Sequence, residues 1–180
     1  MLRLAATLVL SATLAILGAG CGGDTSAEEE WAADVCSAVG NWQDEAEQST
    51  EDVREALQSP GAGTVATLEA EVREIIDATQ EVGNDLQELE APNTEAGDEA
   101  KRELDTLATQ LESTATNIEE TFDNLPEDAG LSELANALEP LVPTIQSLIA
   151  SVSSTFDAVK ESGSELKEGF DNADSCDDFR

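Results

Sequence analysis

Three stretches of the chain hold apolar side chains in phase at helical steps over many turns. From Thr64, the positions Val65, Leu68, Val72, Ile75, Thr79, Val82, Leu86 and Leu89 recur at alternating steps of three and four, a heptad seam with one polar member. A second stripe runs through Ala100, Leu104, Leu107, Leu111, Thr114, Ile118, Phe122 and Leu125 and stops ahead of Pro126. A third joins Leu131, Leu134, Leu138, Leu141, Ile145, Leu148, Val152, Phe156 and Val159. Pro140 and Pro143 fall inside it, which predicts a kink, or a short helix followed by a longer one. Upstream, Trp31, Val35, Val39, Trp42, Ala46, Val53 and Leu57 share one broad face, predicting a helix over 28–58 that frays or restarts at Ser49–Thr50.

Breaker clusters separate these segments: Ser59-Pro60-Gly61-Ala62-Gly63, Ala91-Pro92-Asn93-Thr94, and the stretch from Leu125-Pro126 to Gly130. Each is short enough to reverse the chain. No strand-like alternation competes, and aromatic residues make up only 3% of the chain. The predicted fold is therefore all-α, an antiparallel up-down-up-down four-helix bundle whose last segment is kinked or split at Pro140/Pro143.

Composition alone would leave folding in question. After Gly20, Leu, Ile, Val and Phe make up about 20% of the residues, the level at which a highly charged chain is suspected of disorder. The sustained phase decides for folding, because apolar residues in a disordered chain have no reason to recur on one face.

Ahead of the helices stands an apolar leader. Met1-Leu2-Arg3 is followed by an uncharged run from Leu4 to Leu17, which fits the hydrophobic region of a secretory signal and is short for a membrane span. The leader closes on Gly18-Ala19-Gly20-Cys21, which resembles the lipobox of bacterial lipoproteins. That resemblance implies cleavage before Cys21 and lipidation of its sulfur, with two acyl chains giving stable anchoring. Gly18 departs from the pattern, since it stands where a Leu is commonest and Leu17 is displaced one place outward. The alternative is ordinary cleavage after Gly20 and a soluble secreted product. The chain then divides into a signal peptide (1–20), an anchor cysteine and tether (21–27), an acidic helical bundle (28–171) and a C-terminal tail (172–180). The residues between Cys21 and the first helix would span about 13 Å, holding the bundle close to the membrane.

The whole chain sets 8 Lys and Arg against 40 Asp and Glu, a net charge of −32. Loss of residues 1–20 removes Arg3, leaving seven basic side chains against the same 40 acidic ones, or −33. The basic residues are scattered along the chain, which excludes a phosphate-binding patch and hence nucleic acid. The charge also opposes lying flat on anionic headgroups, and it attracts basic proteins or divalent cations. Crowded carboxylates that repel one another carry raised folded pKa values, so stability is expected to rise as the pH falls from 7 toward about 5.

The cysteines bear on topology. In an up-down-up-down bundle, Cys36 near the start of the first helix and Cys176 past the end of the last share a pole, so a disulfide between them is geometrically natural. A lipidated Cys21 would leave these two as an even pair in an oxidising compartment. Two free thiols are the alternative, and the spacing excludes a CxxC redox site.

Chemistry beyond this is sparse. The chain has no His and no Tyr and carries no nucleophile signature, so no enzymatic activity and no cofactor are expected. Asp171, Asp174, Asp177 and Asp178 form weak candidates for a cation site around Cys176, although their spacing fits hydrated tail carboxylates better than an EF-hand loop. Trp31 and Trp42 read as core anchors first and as ligand-stacking surfaces second. Glu69 with Arg73 and Asp98 with Arg102 are spaced for helical ion pairs.

The head Trp31-Ala-Ala-Asp-Val35-Cys36 with Trp42, together with the tail Cys176-Asp-Asp-Phe179, is similar to small helical lipoproteins of high-GC bacteria whose role is not established. That likeness supports the bundle and the disulfide and implies no site. The combined expectation is a lipid-anchored module on the extracytoplasmic face of the cell membrane, acting in structure or protein interaction. The alternative is a ligand-binding module for a divalent cation or a small apolar molecule.

Overall fold

The computed structural model describes residues 25–126 and 129–179. The signal segment, Cys21 and the side chain of Asp178 lie outside the described residues. The fold is all-helical, with no strand among the described residues, and runs α1 (Ala27–Gln58), α2 (Thr64–Glu88), α3 (Glu95–Asp123), α4 (Leu131–Leu138), α5 (Leu141–Glu161) and α6 (Ser164–Asn172). A 3-10 helix, Asp174–Phe179, follows.

Local chemistry accounts for the helix ends. Ser26 caps α1, its hydroxyl accepting from Glu29 N–H at 3.1 Å, and Glu28, Glu29 and Glu30 place negative charge at the positive end of the helix dipole. Thr94 caps α3 in the same way, accepting from Gly97 N–H at 3.0 Å. At the far end of α2, the Lys101 ammonium donates to the carbonyls of Leu86 and Gln87 at 3.2 and 2.9 Å, satisfying groups that the helix itself leaves open. Gly63 opens α2 with φ of 96°, a left-handed conformation that side chains resist.

Most seam residues are buried as the periodicity predicts. Leu68, Val72, Ile75, Thr79, Val82 and Leu86 of α2 line the core, with Val65 and Leu89 half-buried at its ends. On α3 the seam drifts. Thr114 sits at the edge and Ala115 takes the buried place, as expected when a straight helix slips against a strict heptad. The polar seam member Thr79 is fully buried, donating to Ile75 O at 2.6 Å and accepting from Trp42 Nε1 at 3.1 Å.

Packing links neighbouring helices in series. α1 lies on α2, α2 on α3 and α3 on α5, while α6 and the 3-10 helix lie against α1. Gln87 Nε2 bonds Glu112 between α2 and α3 at 2.7 Å, and Gln110 Nε2 bonds Ser151 between α3 and α5 at 3.1 Å.

One expectation about continuity needs correction and another is met and extended. α1 passes through Ser49 and Thr50 without a restart, because both are buried against neighbouring helices rather than hydrated. The last segment splits at Pro140 into a short helix and a longer one, as expected, and is divided once more beyond them. α4 ends at Leu138, where Pro140 and Pro143 each lack the N–H that would continue the ladder, and Pro143 then sits in the first turn of α5, where no donor is required. A further break at Ser162–Gly163 frees α6 to cross α1. There Gly169 lies so close that a Cβ would stand 2.7 Å from the carbonyl carbon and oxygen of Glu28.

Candidate functional site

The cysteine pair comes first, because it fixes one region of the molecule. Cys36 and Cys176 are joined by a disulfide, with Cα atoms 5.2 Å apart, and both are fully buried. Around them an aromatic cluster forms. Trp31 meets Phe170 edge-on at 5.9 Å, Phe170 meets Phe156 edge-on at 5.7 Å, and Phe179 stacks on Phe156 at 4.7 Å. Lys160 donates to Phe179 O at 2.7 Å and holds the 3-10 helix against α5. Trp31 and Trp42 are 4% and 2% exposed, which places both in the core. They differ in one respect: Trp42 Nε1 has Thr79 as acceptor, whereas Trp31 Nε1 has none among the described residues.

The acidic residues of the tail are divided between α6 and the 3-10 helix. Asp171 pairs with Lys167 one turn away, and Asp174 and Asp177 lie exposed on the 3-10 helix. No group of three or more His, Cys, Asp or Glu side chains among the described residues is arranged to hold a metal ion.

Two features escape sequence reasoning. The first is an acidic furrow between α1 and α2, lined by Asn41, Trp42 and Glu45 of α1 and by Glu81 and Asp85 of α2. Burial raises the pKa of Glu45 above its ordinary value, reinforced by the carboxylates of Glu74, Glu81 and Asp77. Burial likewise raises Glu71, opposed by a hydrogen bond with Ser49 and assisted by Asp52 and Glu74. Helical spacing hinted at this furrow, since Glu74, Asp77 and Glu81 sit three and four apart on α2.

The second is an open-sided cavity of about 410 Å³ bordered by α2, the end of α3, Leu125, Pro126, Ala129 and α4. Its apolar lining includes Val65, Val72 and Ile76 of α2, Phe122 of α3, Leu125, and Leu134 of α4. Glu69, Arg73 and Asp77 border it from α2, and Glu119 and Asp123 from α3. Arg73 lies 3.9 Å from Glu69, the pair anticipated from spacing. Asp77, Glu119 and Asp123 have no ion-pair partner among the described residues. No sequence signal marks this cavity, because it exists only where α4 crosses the ends of α2 and α3.

The expected Asp98–Arg102 pair does not form. Both side chains are exposed, where holding two long side chains together gains little, and Lys101 pairs with Asp105 instead. No helix among the described residues is long and apolar enough to cross a membrane. No protein-family model matches the chain, and no curated protein or solved structure matches it.

Proposed function

We propose that this chain is a lipid-anchored, extracytoplasmic, non-catalytic interaction module that recognises a basic protein partner through its acidic surface. One observation carries this reading: five of the few basic side chains are already engaged within the molecule, and among the described residues only the Arg102 side chain is left without an ion pair or a carbonyl acceptor. Arg54 pairs with Glu51, Arg73 with Glu69, Lys101 with Asp105 and Lys167 with Asp171, while Lys160 is bound to a backbone carbonyl. Most of the 40 carboxylates are therefore left without an internal countercharge and present a field that attracts cationic partners. The furrow between α1 and α2 concentrates that field on a rigid helical surface, where the raised Glu45 and Glu71 mark carboxylates that a partner's ammonium or guanidinium group would relieve.

The leader ending at Gly20-Cys21 supports anchoring at Cys21, and the helix arrangement supports an up-down-up-down bundle with α4 and α6 as appended pieces. In support of that topology, Trp42 meets Thr79 and Ser49 meets Glu71, so residue numbers rise along α1 as they fall along α2. The ligand-binding alternative draws on the separate cavity beside α4.

Two measurements test the proposal. Intact mass of non-reduced protein extracted from membranes is expected to show a chain starting at Cys21 and carrying a diacylglyceryl group; an unacylated chain in the medium refutes the anchor. A photo-crosslinker at Asn41 in intact cells is expected to capture a basic partner, and the joint changes Glu45→Gln, Glu71→Gln and Glu81→Gln should abolish capture. Capture that survives this neutralisation refutes recognition by charge.

A further inference from the structure

We infer that the cavity between α2, α3 and α4 is a binding site for a small amphiphilic organic cation, an ammonium group carried on an apolar body. The inference goes beyond the docking of a basic protein and depends on neither the anchor nor the partner.

Size comes first. A volume of about 410 Å³ lies within the range of small-molecule sites and is too short for an extended helical segment. Chemistry then narrows the occupant. Ile76, Phe122, Leu125 and Leu134 offer an apolar floor drawn from four separate parts of the chain, so a ligand body placed there would be covered from several sides. At the mouth the charges are unbalanced. The one cation among the lining residues, Arg73, is 71% exposed and 3.9 Å from Glu69, so a single positive charge stands against the four carboxylates of Glu69, Asp77, Glu119 and Asp123, a net excess of three negative charges. An anionic ligand would meet that excess, and a neutral one would leave the carboxylates repelling one another. A ligand with an apolar body and one positive end answers both halves of the site, and the Phe122 ring adds an attractive face for the cation.

Position supports the same conclusion. α4 contributes Leu134 to the wall of the cavity, and it fully buries just Leu134 and Leu138. The helix that completes the site is thus the least deeply packed, so a ligand can enter by its displacement and hold it down once bound.

The test uses the full chain in nanodiscs of phosphatidylcholine, with empty discs as the blank, titrated calorimetrically at about physiological ionic strength where exposed fields are screened. The probe is 4-phenylbutyltrimethylammonium, compared with 4-phenyl-1-butanol, 4-phenylbutyrate and tetramethylammonium. The expected result is one site per chain for the probe, with each comparison compound at least about tenfold weaker, the scale of losing one charge-assisted contact or the apolar body. The pair Asp77→Asn with Asp123→Asn should weaken the probe by about tenfold or more, whereas Glu165→Gln with Glu168→Gln, which removes equal charge from exposed α6, should change it less than about twofold. Ala129→Trp, which fills the mouth and removes no charge, should abolish binding. The inference is overturned if the alcohol or tetramethylammonium binds as well as the probe, if the two charge-removing pairs have equal effects, or if binding survives Ala129→Trp.

Discussion

The region around Cys36–Cys176 and the region around α4 solve the same problem in opposite ways. Each must bring a short C-terminal-half helix onto the longer ones. In the first, α6 is held by an edge-on Trp31–Phe170 contact and a glycine that lets backbones touch, and the 3-10 helix directly after it is tied to α1 by a disulfide. In the second, α4 fully buries only Leu134 and Leu138, with Leu131 half-buried against the core, and it lies between a turn and a proline with cavities of about 410 and 270 Å³ beside it. The contrast teaches that a strongly acidic chain concentrates its cohesion where covalent and aromatic contacts are available and leaves looser packing elsewhere. Sites of binding are drawn from the looser end.

Breaking the disulfide gives the largest effect. Closing a loop across a sequence separation of 140 stabilises by up to about 5 kcal/mol in the chain-entropy account. Cys36→Ala with Cys176→Ala is therefore expected to lower the denaturation midpoint sharply, and hydrogen exchange should show α6 opening first. A double variant as stable as the parent would mean that the aromatic cluster alone secures this region. Gly169→Ala probes that cluster with the disulfide intact. The new Cβ would stand 2.7 Å from Glu28 backbone atoms, so α6 must lift from α1. A loss of about 2–3 kcal/mol is expected, in the range of overpacked cores. A smaller loss would show that α6 can slide without separating Phe170 from Trp31.

At the other region, Leu134→Ala is expected to cost about 2 kcal/mol, the low end for a buried leucine because α4 can settle into the space or detach. Amides of α4 should exchange faster than those of α2 and α3 in the parent already, and the substitution should widen that gap. Uniform exchange across all three helices would remove the distinction between the regions.

The seams were legible because apolar residues recur at steps of three and four, and that periodicity survives any tertiary arrangement. What the pattern could not show is where a continuous stripe is cut. Val159 and Leu166 are spaced as if on one helix, yet Ser162-Gly163 ends α5, and only Gly163 following Lys160 in the last turn hinted at it. Ser49 and Thr50 misled in the other direction, since short polar residues that often interrupt helices are here buried between them. The candidate sites divide in the same way. Cys36 and Cys176 could be paired from topology, whereas the cavity arises only from helices brought together by folding, and of the furrow the sequence carries no more than the helical spacing of Glu74, Asp77 and Glu81.

Thr79 tests the polar point in the α2 seam. Thr79→Val keeps the shape and removes the acceptor of buried Trp42 Nε1, for an expected loss of about 1–2 kcal/mol. Trp31 provides the contrast, since its Nε1 already lacks an acceptor among the described residues. Trp31→Phe should then cost packing area alone, whereas Trp42→Phe also strands the Thr79 hydroxyl.

The smallest expected effect is on pH dependence, and its sign is fixed by the furrow. Glu45 and Glu71 carry folded pKa values above the ordinary 4.5, through burial first and neighbouring carboxylates second. Between the ordinary value and the raised ones, the folded chain holds more protons than the unfolded chain. Stability therefore increases as the pH is lowered into that window and is lost again as it rises through the folded pKa values. Tm measured at pH 7, 6 and 5 should climb, and the pair Glu45→Gln with Glu71→Gln should raise Tm at pH 7 and flatten the climb. The sequence attributed such behaviour to repulsion among all the carboxylates. A climb that persists in the double variant would restore that account, whereas one that disappears would assign it to two side chains in a single furrow, with desolvation ahead of net charge.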